Sequence, residues 1–537
     1  SGDIHCLSCF WRYPLPVLFL EISTACLVSS ESSAIAVKYF NERNLLAVLV
    51  KCLDVAVFGV DTAVSVAQCL HTVTEDNPAA ISQLLASDID LEKMMRMEGD
   101  EPAVLLLRTL AAGLALNVKY GRAADLPSSA LLQLMSVLAQ TLNVDHRTAL
   151  NRLTSELPLE ESSKEASQVE QALVCAEHLL DAQRTALEIL ANLCSGEGSI
   201  TLAVDQTAKD GEIETMITRV AVCVDTDDDA MDQDSSENSD DFLSDPEDPE
   251  ESAPLPAAHF ALAVVTEVRE GIINHQLVSK VWDRTVYPAE NVCQILDSHT
   301  RGALVCKKLA TLRCRAFLCL NNLLTTLSVE DVGGPQFLSD LWVNIGTLVF
   351  RQIESSEREF LESATAALRA TLQRLSQARV PCTRDLTHED LQLMFKSEQR
   401  CSDANVRTNL IRSVGSLGLI LVNSANTTTT HAMIKSIGRF LLEVCSRESE
   451  LWLVTESLDT LMDVFGEDET DQAAADIALV DKLRALVPSL KYKVRQQRKS
   501  LGDHYLVVTT ANANLTRFIK YKGQRMASRS ATNGHST

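Results

Sequence analysis

The octet AFLCLNNL at 316–323 decides how the chain is read. Its order is small or apolar, apolar, two variable positions, apolar, variable, polar or small, apolar. At 100° per residue the first, second, fifth and eighth positions share one helix face, a stripe that has to be buried. The order returns as AVSVAQCL from Ala63, AVLLLRTL from Ala103, ALLQLMSV from Ala130 and ALEILANL from Ala186. It returns again as LIRSVGSL from Leu410 and SLDTLMDV from Ser457, with a degraded copy, ATAALRAT, from Ala364. From Ala316 onward the starts lie 48, 46 and 47 residues apart. That period belongs to HEAT or armadillo helix pairs, which bury their apolar faces only by stacking on neighbours. The expected fold is all-α, a right-handed ARM/HEAT-repeat superhelical solenoid with a long disordered acidic insertion.

Helical periodicity predicts segments at 33–56, 160–195, 257–282, 303–327, 473–500 and 503–522, among others, with no alternating strand pattern. Position seven of the octet points away from the apolar stripe. It holds Cys69, Thr109, Ser136, Asn192, Asn322, Ala370, Ser416 and Asp463. On the inner helices of a solenoid this position would line a groove, so Asn192, Asn322, Ser416 and Asp463 are candidate partner-binding residues. An Asn amide can both donate to and accept from an extended peptide backbone. The bland alternative is a solvated helix face. Trp282, Trp342 and Trp452, each following an aliphatic residue (Val281, Leu341 and Leu451), are expected to pack between repeats.

The octet spacing breaks once. Between Ala186 and Ala316 lie 130 residues, and within them 225–251 holds 14 Asp or Glu and no Lys or Arg. A segment so charged cannot bury enough apolar surface to offset the entropy of ordering, so it is read as disordered when free. The roughly seventy residues left after removing the insertion are expected to supply the rest of one repeat and a further helix pair. The acidic stretch is either a solubilising spacer or a docking tether for a basic partner. In the second reading the binding groups are Asp227, Asp228, Asp229, Asp240, Asp241, Glu247, Asp248, Glu250 and Glu251. Phe242 and Leu243 form the apolar pair among them. Thr226 and Ser244 each precede an acidic residue by three positions, the pattern of an acidophilic kinase site.

Composition narrows the function. The net charge is −25, of which −11 lies outside the acidic stretch; it disfavours DNA or anionic membrane as the main partner and favours basic proteins. Fifteen Cys are scattered singly, as expected of reduced thiols. Cys6-x-x-Cys9 has no second pair to complete a zinc site. No P-loop, G-x-G-x-x-G, H-E-x-x-H or G-x-S-x-G is present, so no catalytic, cofactor-binding or metal residues are assigned and an enzyme is not expected. Pro14–Val28 is apolar but broken by Glu21, and reads as an imperfect first helix or the start of a truncated chain. From Lys482 to Arg529 the charge inverts, with twelve Lys or Arg against Asp503. Those residues are read as an import signal, an RNA contact, solvated faces of capping helices, or groups that pair loosely with the acidic loop in the empty protein; the sequence leaves the four open.

The stretches "FLCLNNLLTTL", "VGGPQFLSDLW" and "RALVPSLKYKVRQQ…LTRFIKYKGQ", with helical repeats on both sides of an acidic insertion, resemble the symportin family of HEAT-repeat proteins. The resemblance covers most of the chain from about Ser33 and is firmest over 300–525. It implies an adaptor and dedicated chaperone for newly made large-subunit ribosomal proteins of the 5S particle, supporting their nuclear import and ribosome assembly. One client's terminal segment would lie in the groove, and the acidic insertion would serve another. The family's basic N-terminal import signal, read by a nuclear transport receptor, is not seen in this chain. The expected protein is a monomer of cytoplasm and nucleus, with no membrane partner and no cofactor. The alternative is an importin-like carrier or helical-repeat scaffold for a non-ribosomal basic client. The expected organisation is an irregular 1–32, repeats over 33–196, the acidic insertion 197–256, HEAT repeats over 257–502, and a capping helix with basic tail over 503–537.

Overall fold

The computed structural model describes residues 37–194 and 265–533, apart from short connecting stretches such as 121–125, 157–162 and 381–385. Among the described residues every regular element is a helix. Eight helices pack in series, each on the next: α1 (Val60–Val73), α2 (Pro102–Ala115), α3 (Ser163–Cys194), α4 (Gly302–Thr326), α5 (Arg358–Gln377), α6 (Ala404–Val422), α7 (Leu451–Phe465) and α8 (His504–Asn533). A second layer, including Ser128–Thr141, Gly334–Gln352, Thr428–Arg447 and Leu479–Gln497, covers one side of this ladder. The arrangement is an all-α HEAT/ARM-type solenoid, as the octet period predicts. Its core runs unbroken from Phe40 to Phe518, because each rung shares its apolar stripe with the rung on either side.

Local chemistry sets the ends of the rungs. The Asp403 carboxylate accepts from the Asn405 and Val406 amides at the start of α6, and Pro102 occupies the first turn of α2. Thr387 and Asp390 form a reciprocal capping box on His388–Arg400. At the other end a recurring device operates: a long donor from a following helix reaches back to the terminal carbonyls of an earlier one. Gln183 donates to Thr141 O at 3.2 Å, Arg313 to Thr285 O at 3.1 Å, Arg374 to Leu324 O at 2.5 Å and Lys493 to Glu448 O at 2.6 Å. Three of these four are cations, which suits the negative end of a helix dipole.

Seven of the eight octets lie on the ladder. ALLQLMSV does not: Ser128–Thr141 packs across α2 and α3 in the outer layer. Period alone cannot tell inner from outer helix when both carry an apolar stripe. A second correction concerns the broken spacing. α3 packs directly on α4, so no further rung lies between them. Thr266–Asn274 and Leu277–Arg284 pack on each other, and with Glu290–Ser298 they lie against Ser128–Thr141, α4 and His146–Glu156, outside the ladder. The predicted helix 257–282 is interrupted at Gln276 and that at 473–500 at Ala478, both at φ 52. The predicted 33–56 is interrupted where Asp54 caps a new start. Helices at Pro78–Leu85, His146–Glu156 and His388–Arg400 went unmarked by periodicity. Residues 1–32 and 197–256 lie outside the described residues.

Candidate functional site

The ladder leaves one helix face uncovered by the second layer, and the octet register shows which residues form it. Positions three and seven are four residues apart and so lie one above the other. Position three contributes Glu188, Leu318, Ala366, Arg412 and Asp459 from α3 to α7 in turn. These side chains are half-buried or exposed, whereas the stripe beneath them is closed to solvent.

Position seven behaves less uniformly than its pattern predicts. Asn192 is exposed near the end of α3, Asn322 and Ser416 are half-buried, and Asp463 is exposed. Cys69, Thr109 and Ala370 are buried instead. The Thr109 hydroxyl lies 2.9 Å from that of Thr141, inside the contact between layers. Position seven sits at the border of the stripe, and a close neighbouring helix covers it. The structure therefore joins the candidates in two pairs. Asn322 Nδ2 donates to Ala191 O, beside Asn192, at 3.3 Å. Asp463 lies 3.5 Å from Arg412, one turn before Ser416. The buried Ala370 rung separates the pairs. All eleven candidates in the acidic stretch lie outside the described residues.

Charge on this face is concentrated on α6 and α7. Arg412 meets Glu456 at 2.5 Å, Asp463 at 3.5 Å and Asp459 at 3.9 Å, so three carboxylates surround one guanidinium. Burial pushes the Asp459 carboxyl up to about 6; the neighbouring Glu456 and Asp463 add to the rise, against the pull of Arg412. Asp463 is raised as well, by desolvation among the neighbouring helices and by Glu456, although its side chain reaches solvent. Carboxylates held reluctant to ionise are poised to gain from a second cation. Toward the other end Arg315 pairs with Glu188 at 3.1 Å, and Lys308 bridges Asp181 at 2.7 Å and Glu177 at 3.1 Å.

Between these ends α4, α5, α6 and α7 enclose a cleft of about 610 Å³. Leu318, Ala366 and Trp452 supply its apolar wall, and Arg369, Glu359 and Glu362 its charges. The sequence reading missed this cleft and position three altogether, although the i, i+4 relation to position seven was available to it. It also placed Trp452 between repeats with Trp282 and Trp342. Trp282 does pack there, edge-on to Phe317 with centroids 6.5 Å apart, and Trp342 lies against the core. Trp452 lines the cleft instead.

Two comparisons with known proteins bear on what this face serves. Residues 266–526 match the family described as "SYO1-like, TPR repeats". Over that stretch, just under half of its length, the chain is similar to this SYO1-like family. Its octet spacing of 46 to 48 residues is nonetheless longer than the 34 of a TPR unit and closer to HEAT. HEAT repeat-containing protein 3 of Homo sapiens is 27% identical over 535 residues, covering 92% of this chain and 74% of its own length. The Mus musculus protein of the same name is 26% identical over 545 residues, with the same coverage. With this family the chain shares the character of a non-catalytic helical-repeat adaptor. The SYO1-like match includes α4 to α7, and therefore the cleft and the acidic cluster.

The basic C-terminal residues turn out to be partly structural. Lys522 is buried on Asp471, Arg525 reaches Asp468 at 2.8 Å and Asp471 at 3.2 Å, and Lys493 caps a carbonyl. Lys491, Arg495 and Arg517 remain exposed. No helix among the described residues is long and apolar enough to cross a membrane. The described cysteines are free thiols, and burial pushes Cys194 and Cys445 up to about 12, which makes them packing groups.

Proposed function

We propose that this SYO1-like adaptor is a dedicated chaperone for newly made basic ribosomal proteins of the large-subunit 5S particle. It holds an extended segment of the client along the uncovered face of α3 to α7 and carries it between cytoplasm and nucleus with a transport receptor. The observation that carries the reading is the cluster of Glu456, Asp459 and Asp463 around Arg412, an acidic excess on the one face left open by the second layer. A free ribosomal protein is strongly cationic, and such a face gives it contacts that are numerous, individually weak and displaceable by RNA. Asn192, Asn322 and Ser416 serve the client's backbone in this reading. Asp227, Asp228, Asp229, Asp240, Asp241, Glu247, Asp248, Glu250 and Glu251, with Phe242 and Leu243, form a second, tethering contact.

The test is affinity capture from cytosol at low and high salt, with mass-spectrometric identification of what is held. Ribosomal proteins of the 5S particle, released by salt and by the double substitution Glu456→Gln with Asp463→Asn, are expected. Capture of assorted basic proteins with no ribosomal preference would replace the proposal with a general importin-like carrier.

A further inference from the structure

The cleft between α4 and α7 is chemically unlike the face on either side of it. Leu318 is a large aliphatic side chain left 37% exposed there, next to Ala366 and the half-buried Trp452. Arg369 lines the same cleft, and among the described residues no carboxylate lies within 4.0 Å of it and its Nε has no acceptor. Thr408, only 8% exposed, also lines the cleft with a hydroxyl that has no partner among the described residues. Among the described residues no hydrogen-bond partner meets Arg369 Nε or the Thr408 hydroxyl.

Elimination narrows the occupant. A Lys or Arg side chain would meet Arg369 and Arg315 as well as the two carboxylates of the lining, and so gains no net partner. A carboxylate is balanced in the same way, by Glu359 and Glu362 against the two guanidinium groups. An aliphatic side chain would leave Arg369 Nε and the Thr408 hydroxyl, both already closed to solvent, without a partner, and unpaired buried polar groups are costly. An aromatic ring offers its negative face to the guanidinium and its edge to the Trp452 indole. A phenol adds the hydrogen-bonding tip that Thr408 lacks. We propose that this cleft is an anchor site for one tyrosine side chain of the client segment, with the client's cations one rung further on at Asp459 and Asp463. The inference rests on the reading of this face as a client groove. It supplies what a polyanionic surface cannot, discrimination between one basic segment and another.

Fluorescence anisotropy with short labelled peptides tests it: Lys, Arg, Gly and Ser around one central Tyr, and the same peptide with Phe, Leu or Ala there. The full chain is expected to hold the Tyr peptide at least about tenfold more tightly than the Ala peptide, with Phe and Leu between. Ala366→Phe fills the cleft and Trp452→Ala removes its wall. Each should abolish the Tyr preference, bringing the Tyr peptide to the affinity the same variant shows for the Ala peptide, with circular dichroism confirming the helices; Leu318→Ser repeats the measurement should either variant unfold. Equal affinity for Tyr and Ala peptides, or a preference that survives Ala366→Phe, overturns the anchor. In that outcome salt-sensitive binding of the Ala peptide keeps the groove reading intact. Failure of every peptide to bind overturns both. A Tyr preference without salt dependence supports the anchor and removes the electrostatic reading.

Discussion

Lys522 Nζ lies 2.6 Å from Asp471 Oδ1, and both side chains are sealed from solvent. The same ammonium donates to Glu467 O at 2.8 Å, so the last rung is fastened to the turn that follows α7. Burial alone would raise the Asp471 carboxyl, but Lys522 and Arg525 outweigh it and hold it below the usual range. Its contribution to stability is therefore complete above the ordinary aspartate value and fades as pH falls toward its depressed value. Lys522→Met should cost about 3–5 kcal/mol by leaving a buried carboxylate short of its main partner. Adding Asp471→Leu should return most of that. Urea unfolding of both variants at neutral pH checks the pair; a single variant no less stable than the parent would show that Arg525 alone suffices.

Asp459 runs in the opposite sense. Its folded value of about 6 lies above the ordinary 3.8, so its proton stabilises the fold. That contribution is full below the ordinary value and is lost as pH rises through about 6. Asp459→Asn should raise the melting temperature at pH 7.5 and leave it unchanged near pH 4. Binding of a cationic client should strengthen from pH 5.5 to 7.5 in the parent chain, and that step should shrink in the variant. Titration of Tm and of affinity over this range reads both.

At Gly415 an added Cβ would lie 2.3 Å from Thr460 Cγ2, so α6 and α7 touch through a position that admits no side chain. Gly415→Ala should destabilise by about 1–3 kcal/mol through overpacking. Thr460→Ser removes the methyl it meets and should recover part of the loss. The two changes are expected to be non-additive in a double-mutant cycle, since they share one contact. Additive effects would mean that the helices separate rather than clash.

The acidic stretch is tested as tether against spacer. Loop-closure entropy depends mainly on length, so a neutral Gly/Ser stretch of equal length should leave Tm unchanged. Neutralising Asp227, Asp228, Asp229, Asp240, Asp241, Glu247, Asp248, Glu250 and Glu251 should slow client capture at low salt. The difference should shrink once the Debye length is about 10 Å, near 0.1 M. Phe242→Ala with Leu243→Ala should speed dissociation, and phosphate on Thr226 and Ser244 should tighten binding. Wild-type capture rates in both the neutralised and the double-alanine chain would assign binding to the ladder face alone.

The octets show how far a linear pattern reaches. Whether a helix has an apolar stripe depends on residues three and four apart, so AFLCLNNL and its copies announced the helices, the repeat and the stacked core without any tertiary information. The same i, i+4 arithmetic contained position three, and with it Arg412 and Asp459, although only position seven had been singled out. What lay beyond the sequence was which rung touches which. The partners Arg412 and Glu456 are 44 residues apart, Arg374 and Leu324 50, Lys522 and Asp471 51. Each separation is close to one repeat, but charge and hydrogen bonding act over a few ångströms, and no local pattern specifies that distance. Packing α3 directly on α4 put the expected helix pair outside the ladder, and closing α6 on α7 through Gly415 gathered three carboxylates around Arg412. The apolar stripe determined that the helices would stack; only the stacked structure decided which polar side chains the stacking would bring together.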